Sequence, residues 1–305
     1  MSRPANSFRT LGGGVPVHYD RLRREDYGTR GVPATFHATS DFEAKLDRCF
    51  MQLWESTPFG KAELLISAGA FVAKPGFHGL GRALDLDGIF WRDKTFVTLF
   101  DGFQGRDRPL YLAIEAVLRM HFGQVLNYDF NAAHHDHFHI DDIAPGFRQS
   151  SKTATFFVQN ALSFVLGQPV SRDGIFGNQT RDAVARALTG LGITGSIGTP
   201  NVWQKFLEGI VKTVFQANPV PSAANLPSSF RADFVPGVGT ELLSSFSSME
   251  ESAEPNLTPG ELLQNVYEVI DQEIGQAAQK PNIEGAVTAF ASHPEIQRVL
   301  EPDGR

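Results

Sequence analysis

The stretch His134-His135-Asp136-His137-Phe138-His139-Ile140-Asp141 decides how this chain is read. Phe138 and Ile140 are apolar and alternate with His137, His139 and Asp141, which predicts a strand with one buried and one polar face. An upstream segment, His78-Gly79-Leu80-Gly81-Arg82-Ala83-Leu84-Asp85, is built on a similar plan. Leu84 and Leu86 alternate with Asp85 and Asp87, so both carboxylates are expected on one face of a second strand. His78 precedes that strand in Pro75-Gly76-Phe77-His78-Gly79-Leu80-Gly81, a run too rich in glycine to make a stable helix. Five of the nine histidines fall in these two segments.

Imidazole nitrogens and a carboxylate oxygen are what a catalytic zinc takes as three protein ligands, leaving a fourth position for water. A loop histidine curling over two paired strands can meet Asp85 and His139 at one metal. The plainer reading of a single strand histidine is a side chain satisfied by a backbone or carboxylate partner, and His-x-His also occurs in pH-sensitive clusters. Two polar-faced strands carrying His, His and Asp, with a loop histidine seven residues before the Asp, favour the metal.

His78-x-x-Gly81-x-Ala83-x-Asp85 followed by His137-x-His139 resembles the signature of the zinc D-alanyl-D-alanine metallopeptidases. It is most similar to their extensin-like branch, through the His-Asp-His-Phe-His-Ile-Asp of residues 135–141. The resemblance spans residues 30–145 and implies zinc held by His78, Asp85 and His139. It also gives His137 a place beside the metal, as a hydrogen-bond donor or acid–base group. Zinc so held lowers the pKa of its water toward ~7 and polarises a scissile carbonyl. A base must take that proton and an acid must return one to the leaving amine. His137 is the expected catalytic group, with His134 or His135 in reserve, and Asp136, Asp141 and Asp142 are the carboxylates able to orient imidazoles. Asp87, just before Gly88, is read as a backbone-turn residue. Relatives carry an arginine or glutamine before the first block, and none stands there in this chain. Lys74 is therefore the expected charge for substrate, with His134 and His135 as further substrate-binding residues.

Beyond Gly146 the pattern becomes helical. Residues 157–167 place apolar side chains at helical spacing and end on Gly167. Asp173-Gly174-x-Phe176-Gly177-x-x-Thr180 follows, then a helix over 181–188 and a third over 199–215 containing Trp203 and Phe206. The Asp173–Thr180 motif, followed by Ala183-Val184, resembles the peptidoglycan-binding module, a small three-helix domain of cell-wall hydrolases. That resemblance implies glycines in a tight turn, Phe176 in the core and Thr180 at a helix start. Two motifs thus point at one polymer, and tethering an enzyme to it raises their local concentration.

The expected fold class is α+β. An extensin-like zinc peptidase domain with a small antiparallel sheet occupies 1–150, and an all-α peptidoglycan-binding domain occupies 151–216. A Pro/Ser-rich linker or arm follows over 217–258, then a helical tail over 259–305 with Thr258 as N-cap and Pro259 at N1. A hydrophobic content of 42% suffices for packed cores, and a net charge of -7 excludes a nucleic-acid footprint. No stretch approaches the ~20 apolar residues of a membrane span. The single cysteine, Cys49, cannot form an intramolecular disulfide and is read as a packed thiol on a helix over 41–54 capped by Thr39 or Ser40. Residues 1–14 lack the apolar core of a signal peptide.

The expectation is a zinc metallopeptidase, a carboxypeptidase or endopeptidase hydrolysing an amide bond of the peptidoglycan stem or cross-link. It would be made in the cytoplasm and act in the periplasm or cell wall after specialised export or lysis, as a delivered antibacterial effector. Its partners would be peptidoglycan and a secretion-system component or immunity protein. The alternatives are a phage-type endolysin and a non-catalytic wall-binding protein with a structural zinc.

Overall fold

The structure, a computed structural model, describes residues 2–20, 29–99 and 107–216. The expected arm over 217–258 and tail over 259–305 lie outside the described residues. The strands are β1 (Ser7–Phe8), β2 (Thr10–Leu11), β3 (Val15–Tyr19), β4 (Val32–Pro33), β5 (Phe36–His37), β6 (Leu64–Gly69), β7 (Ala83–Phe90), β8 (Thr95–Val97), β9 (Gln124–Leu126) and β10 (Phe138–Asp141). The helices are α1 (Ser40–Ser56), α2 (Arg108–His121), α3 (Lys152–Phe164), α4 (Asn178–Gly190) and α5 (Pro200–Gln216). The chain is mixed α+β. Among the described residues no helix is long and apolar enough to cross a membrane.

The small, purely antiparallel sheet expected from the sequence is corrected in two respects. The sheet has eight strands, ordered β2-β3-β6-β7-β10-β9 with β4 against β3 and β8 against β7. One pairing, β3 with β6, is parallel. The N-terminal strands enlarge it because Gly12 turns the chain between β2 and β3 at a φ of 60°. A Cβ there would stand 2.5 Å from Trp54 Nε1, whose N–H donates to the Gly12 carbonyl at 2.9 Å. Only glycine allows that approach in that conformation.

Helix α1 forms where capping and spacing agree. The Thr39 hydroxyl accepts from the Phe42 N–H, and Phe42, Leu46, Cys49, Phe50, Leu53 and Trp54 are its buried stripe. Cys49 is fully buried, and burial pushes its thiol pKa far up, so it is a packed side chain. Helix α2 follows a different logic, with every residue from Leu110 to Met120 buried. Its Glu115 and Arg119 pair one turn apart at 2.8 Å within the core.

The central pairing positions the site. β10 runs antiparallel to β7 with His139 opposite Asp85 and Phe138 opposite Leu86. Phe138 and Ile140 are both fully buried, and the Phe138 ring centroid lies 4.4 Å from that of Tyr111 on α2. That packing holds the polar face of β10 away from α2. On the other side of β7, the register with β6 shifts between Ile66 and Ser67 and again before Gly69, which lies opposite Asp85. Such irregularities re-aim the chain next to a site. Asp87 is not at a turn: β7 runs through Gly88 to Phe90, and Gly88 lies where a Cβ would come within 3.0 Å of the Phe96 carbonyl oxygen.

The three later helices share a core with the rest. α5 packs along α2, and Phe147 lies 5.3 Å from Trp203 and 5.0 Å from Phe176 between ring centroids. α3 is capped by Ser151, whose hydroxyl accepts from the Ala154 N–H, and stops at Phe164, three residues short of Gly167. Gln159 of α3 staples the motif loop. Its amide donates to Asp173 Oδ1 at 2.8 Å and to the Ile175 carbonyl at 3.1 Å, and its oxygen accepts from the Gly174 N–H at 2.9 Å.

Candidate metal centre

The loop before β7 carries His78 and is tied down at both ends. Gly81 donates to the His78 carbonyl at 3.0 Å, Arg82 to the Phe77 carbonyl at 2.9 Å, and Thr39 donates to the Gly81 carbonyl at 2.9 Å. Gly81 has a φ of 66°, and a Cβ on it would collide with Pro4, so the N-terminal segment lies directly over the loop. His78 is buried, with Nδ1 against the Ala70 carbonyl just beyond β6. A carbonyl only accepts, so Nδ1 carries the proton and Nε2 presents a lone pair. The Ala70 carbonyl is a functional group that the sequence gives no sign of, since its placement follows from the irregular end of β6.

His78 Nε2, His139 Nδ1 and one oxygen of Asp85 converge. Nε2 of His78 lies 3.1 Å from Nδ1 of His139 and 3.2 Å from Asp85 Oδ1, and Nδ1 of His139 lies 3.0 Å from the same oxygen. Among the described residues this is the group of three His, Cys, Asp or Glu side chains whose ligand atoms meet. Nε2 of His139 points the other way, 3.7 Å from Asp141 Oδ2, and neither atom has a hydrogen-bond partner although both are buried. Asp141 is fully buried and its other oxygen accepts from the Ile143 N–H at 3.1 Å.

The electrostatics follow from this crowding. Burial raises the Asp85 carboxyl, but the neighbouring imidazoles of His78, His137 and His139 outweigh it and hold the pKa well below the usual range. Burial lowers His139, yet the neighbouring carboxyl groups of Asp141 and Asp85 prevail and lift it to about 9. Without a metal, His139 is thus a cation between two carboxylates.

His137 stands at the entrance to β10, with Nδ1 2.7 Å from Asp136 Oδ1 and Nε2 3.7 Å from Asp85 Oδ1. Asp136 is buried, so the pair forms a dyad with the second nitrogen facing the cluster. His134 ends a 3-10 turn over Ala132–His134. Its Nδ1 lies 2.7 Å from Asn131 Oδ1, and its ring centroid is 5.1 Å from that of His137 and 5.8 Å from that of His139. Burial, then the neighbouring His137 and His139, hold His134 well below the ordinary histidine range, so it is neutral. The fold brings His134 to the cluster and turns His135 outward, with Nδ1 on the Ala132 carbonyl and a side chain 42% exposed. Lys74 is exposed on the loop before His78, and its charge also depresses His134. Asp142 faces Lys45 at 2.7 Å and Arg82 at 3.2 Å instead of an imidazole.

Both histidine segments fall in one stretch that matches a family model. Residues 68–150 match the family model of the extensin-like protein C-terminus. This extensin-like segment contains His78, Asp85, His134, His137 and His139. No curated protein and no solved structure matches the chain.

Proposed function

We propose that the chain is a zinc-dependent peptidase of peptidoglycan, hydrolysing an amide bond in the peptide stem or cross-link. The observation that carries this is the triangle of ligand atoms from His78, Asp85 and His139, with sides of 3.0–3.2 Å. Tetrahedral zinc with bonds of ~2.0–2.1 Å spaces its ligands by about 3.3 Å, so two imidazoles and a carboxylate at this separation suit it. Displacing the proton on His139 Nδ1 leaves Nε2–H directed at Asp141, the carboxylate–histidine arrangement that orients a metal ligand. The partnerless Nε2 and Asp141 Oδ2 are accounted for by that change.

Zinc bound there supplies Lewis acidity toward a carbonyl and an acidified water. The protein supplies proton transfer and orientation. Asp136 holds the Nδ1–H of His137, which leaves Nε2 to take a proton on the cluster side and return it to a leaving amine. His134, neutral and held by Asn131, offers a second nitrogen to a polar substrate atom. Lys74 sets a positive charge at the rim, where a stem-peptide carboxylate would be drawn. The resemblance of residues 150–215 to a wall-binding module supports peptidoglycan as the polymer.

The test is a digest of purified sacculi with and without chelator, read by amine release and by mass spectrometry of the products. Zinc-restored cleavage that disappears in His78→Ala and His139→Ala is the expected result. Firm binding to sacculi with intact muropeptides from zinc-loaded protein would instead identify a wall-binding protein with a structural metal.

A further inference from the structure

The loop between β9 and β10 carries both imidazoles that stand beside the ligand triangle, and its first half is fastened from outside the sheet. Asn127 donates to Glu115 Oε2 of α2 at 3.0 Å and accepts the Asp129 N–H at 3.0 Å. Asp129 in turn accepts from Nδ2 of Asn160, on α3, at 2.6 Å. The oxygen of the same amide accepts from Arg172 Nη1 at 3.2 Å. Asn160 is 1% exposed, and this buried amide has both ends bonded. Its orientation is fixed as well: arginine only donates and a carboxylate only accepts, so the amide cannot be turned over.

The restraint continues toward the site. Phe130, next to Asp129, lies with its ring centroid 5.4 Å from that of His134 in an edge-on contact. Asn131 accepts from the Ala133 N–H at 3.0 Å and holds His134. The three ligand atoms are held separately, by the β7–β10 pairing, the Ala70 carbonyl and Asp141.

We propose that α3 is a working part of the site and not only a tether: Asn160, through Asp129, is a positioning residue for His134 and His137. This rests on the reading of those two imidazoles as groups acting beside the metal. It divides metal binding, which does not need Asn160, from proton transfer and substrate placement, which do.

The experiment uses the full chain labelled with 15N-histidine, with zinc added, and follows the imidazole signals in Asn160→Ala. The His134 and His137 signals should shift or broaden, while that of His18, on β3, stays in place. Zinc affinity should remain within about twofold of the parent, and turnover on a stem peptide should fall roughly tenfold to a hundredfold, the scale of a small misplacement. Asp129→Ala breaks the same bond from a less buried position and serves if Asn160→Ala does not fold. Exchanging the two groups, as Asp129→Asn with Asn160→Asp, rebuilds the bond and should restore both signals and turnover. Unchanged His134 and His137 signals in a folded Asn160→Ala or Asp129→Ala protein would overturn the proposal, as would an exchange variant that folds without restoring them. If the parent cleaves no peptide, the functional reading fails, but the imidazole spectra still decide the positioning role.

Discussion

Replacing Asp141 with Asn removes a charge at a fully buried position while keeping its shape, and it tests the proposed role of His139 as a metal ligand. In the parent, Oδ1 of Asp141 accepts the Ile143 N–H, and Oδ2 faces His139 Nε2 at 3.7 Å. An asparagine keeps the first contact through its oxygen and turns its NH2 toward Nε2. Two donors then face each other, so the imidazole favours the tautomer with a bare Nε2 and a proton on Nδ1. Nδ1 is the atom in the triangle, and a protonated nitrogen cannot bind metal. Loss of such an outer partner costs ~10–100-fold in metal affinity, or about 1.4–2.7 kcal/mol. At a fixed, saturating zinc concentration that difference passes into stability, and ~2–4 °C per kcal/mol predicts a melting point lower by about 3–11 °C in the zinc-loaded variant. Competition titration against a chromophoric chelator gives the affinity, and calorimetric melting gives the shift. An Asp141→Asn protein that binds zinc within twofold of the parent would refute the tautomer argument. Failure of both proteins to bind zinc would refute the metal site itself.

Other consequences can be checked independently. Phe138→Ala should cost about 3–5 kcal/mol in a urea melt, because a fully buried ring against Tyr111 is lost; a cost under 1 kcal/mol would mean that β10 is not anchored as described. His139 is raised to about 9 in the metal-free protein, above its ordinary 6.5. Its contribution to metal-free stability is therefore complete below pH ~6.5 and lost as pH rises through about 9. Zinc binding near neutral pH should accordingly release about one proton, measurable by titration calorimetry in buffers of different ionisation enthalpy; no proton release would contradict the raised value. Gly81→Ala places a side chain at a positive φ and against Pro4. It should destabilise by ~1–3 kcal/mol and weaken zinc binding through His78, whereas a fully stable variant would show that the N-terminal segment does not bear on the loop. Lys74→Ala should raise KM for a peptide ending in a free carboxylate and leave kcat unchanged, and an equal effect on a capped peptide would rule out charge recognition.

The grouping of the candidate ligands was legible to a large degree because strand alternation is local. A period of two puts His137, His139 and Asp141 on one face whatever they pack against, and Phe138 and Ile140 did turn out to be buried behind them. Capping chemistry likewise located α1 to within two residues, through Thr39. Helix α2 gave no such signal. Every residue from Leu110 to Met120 is buried, so the polar positions Glu115 and Arg119 form an ion pair in the core and do not mark a solvent face. The extent of the sheet was also hidden, since its strands β2 and β4 span two residues each and are defined by their partners.

By itself, the sequence determined which side chains share a face: alternation made His137 and His139 neighbours and paired Asp85 with a loop histidine as candidates for one metal. Only the tertiary structure decided which nitrogen of each imidazole faces the centre, because that depends on what the other nitrogen meets. For His78 it is the Ala70 carbonyl, eight residues away on a bulged strand end, and for His137 it is Asp136. It also separated His134, turned inward by Asn131, from His135, turned outward, two adjacent and identical residues that no local pattern distinguishes. Faces are set by backbone period; tautomers and orientations are set by the hydrogen-bond partners that the folded loops turn toward each ring.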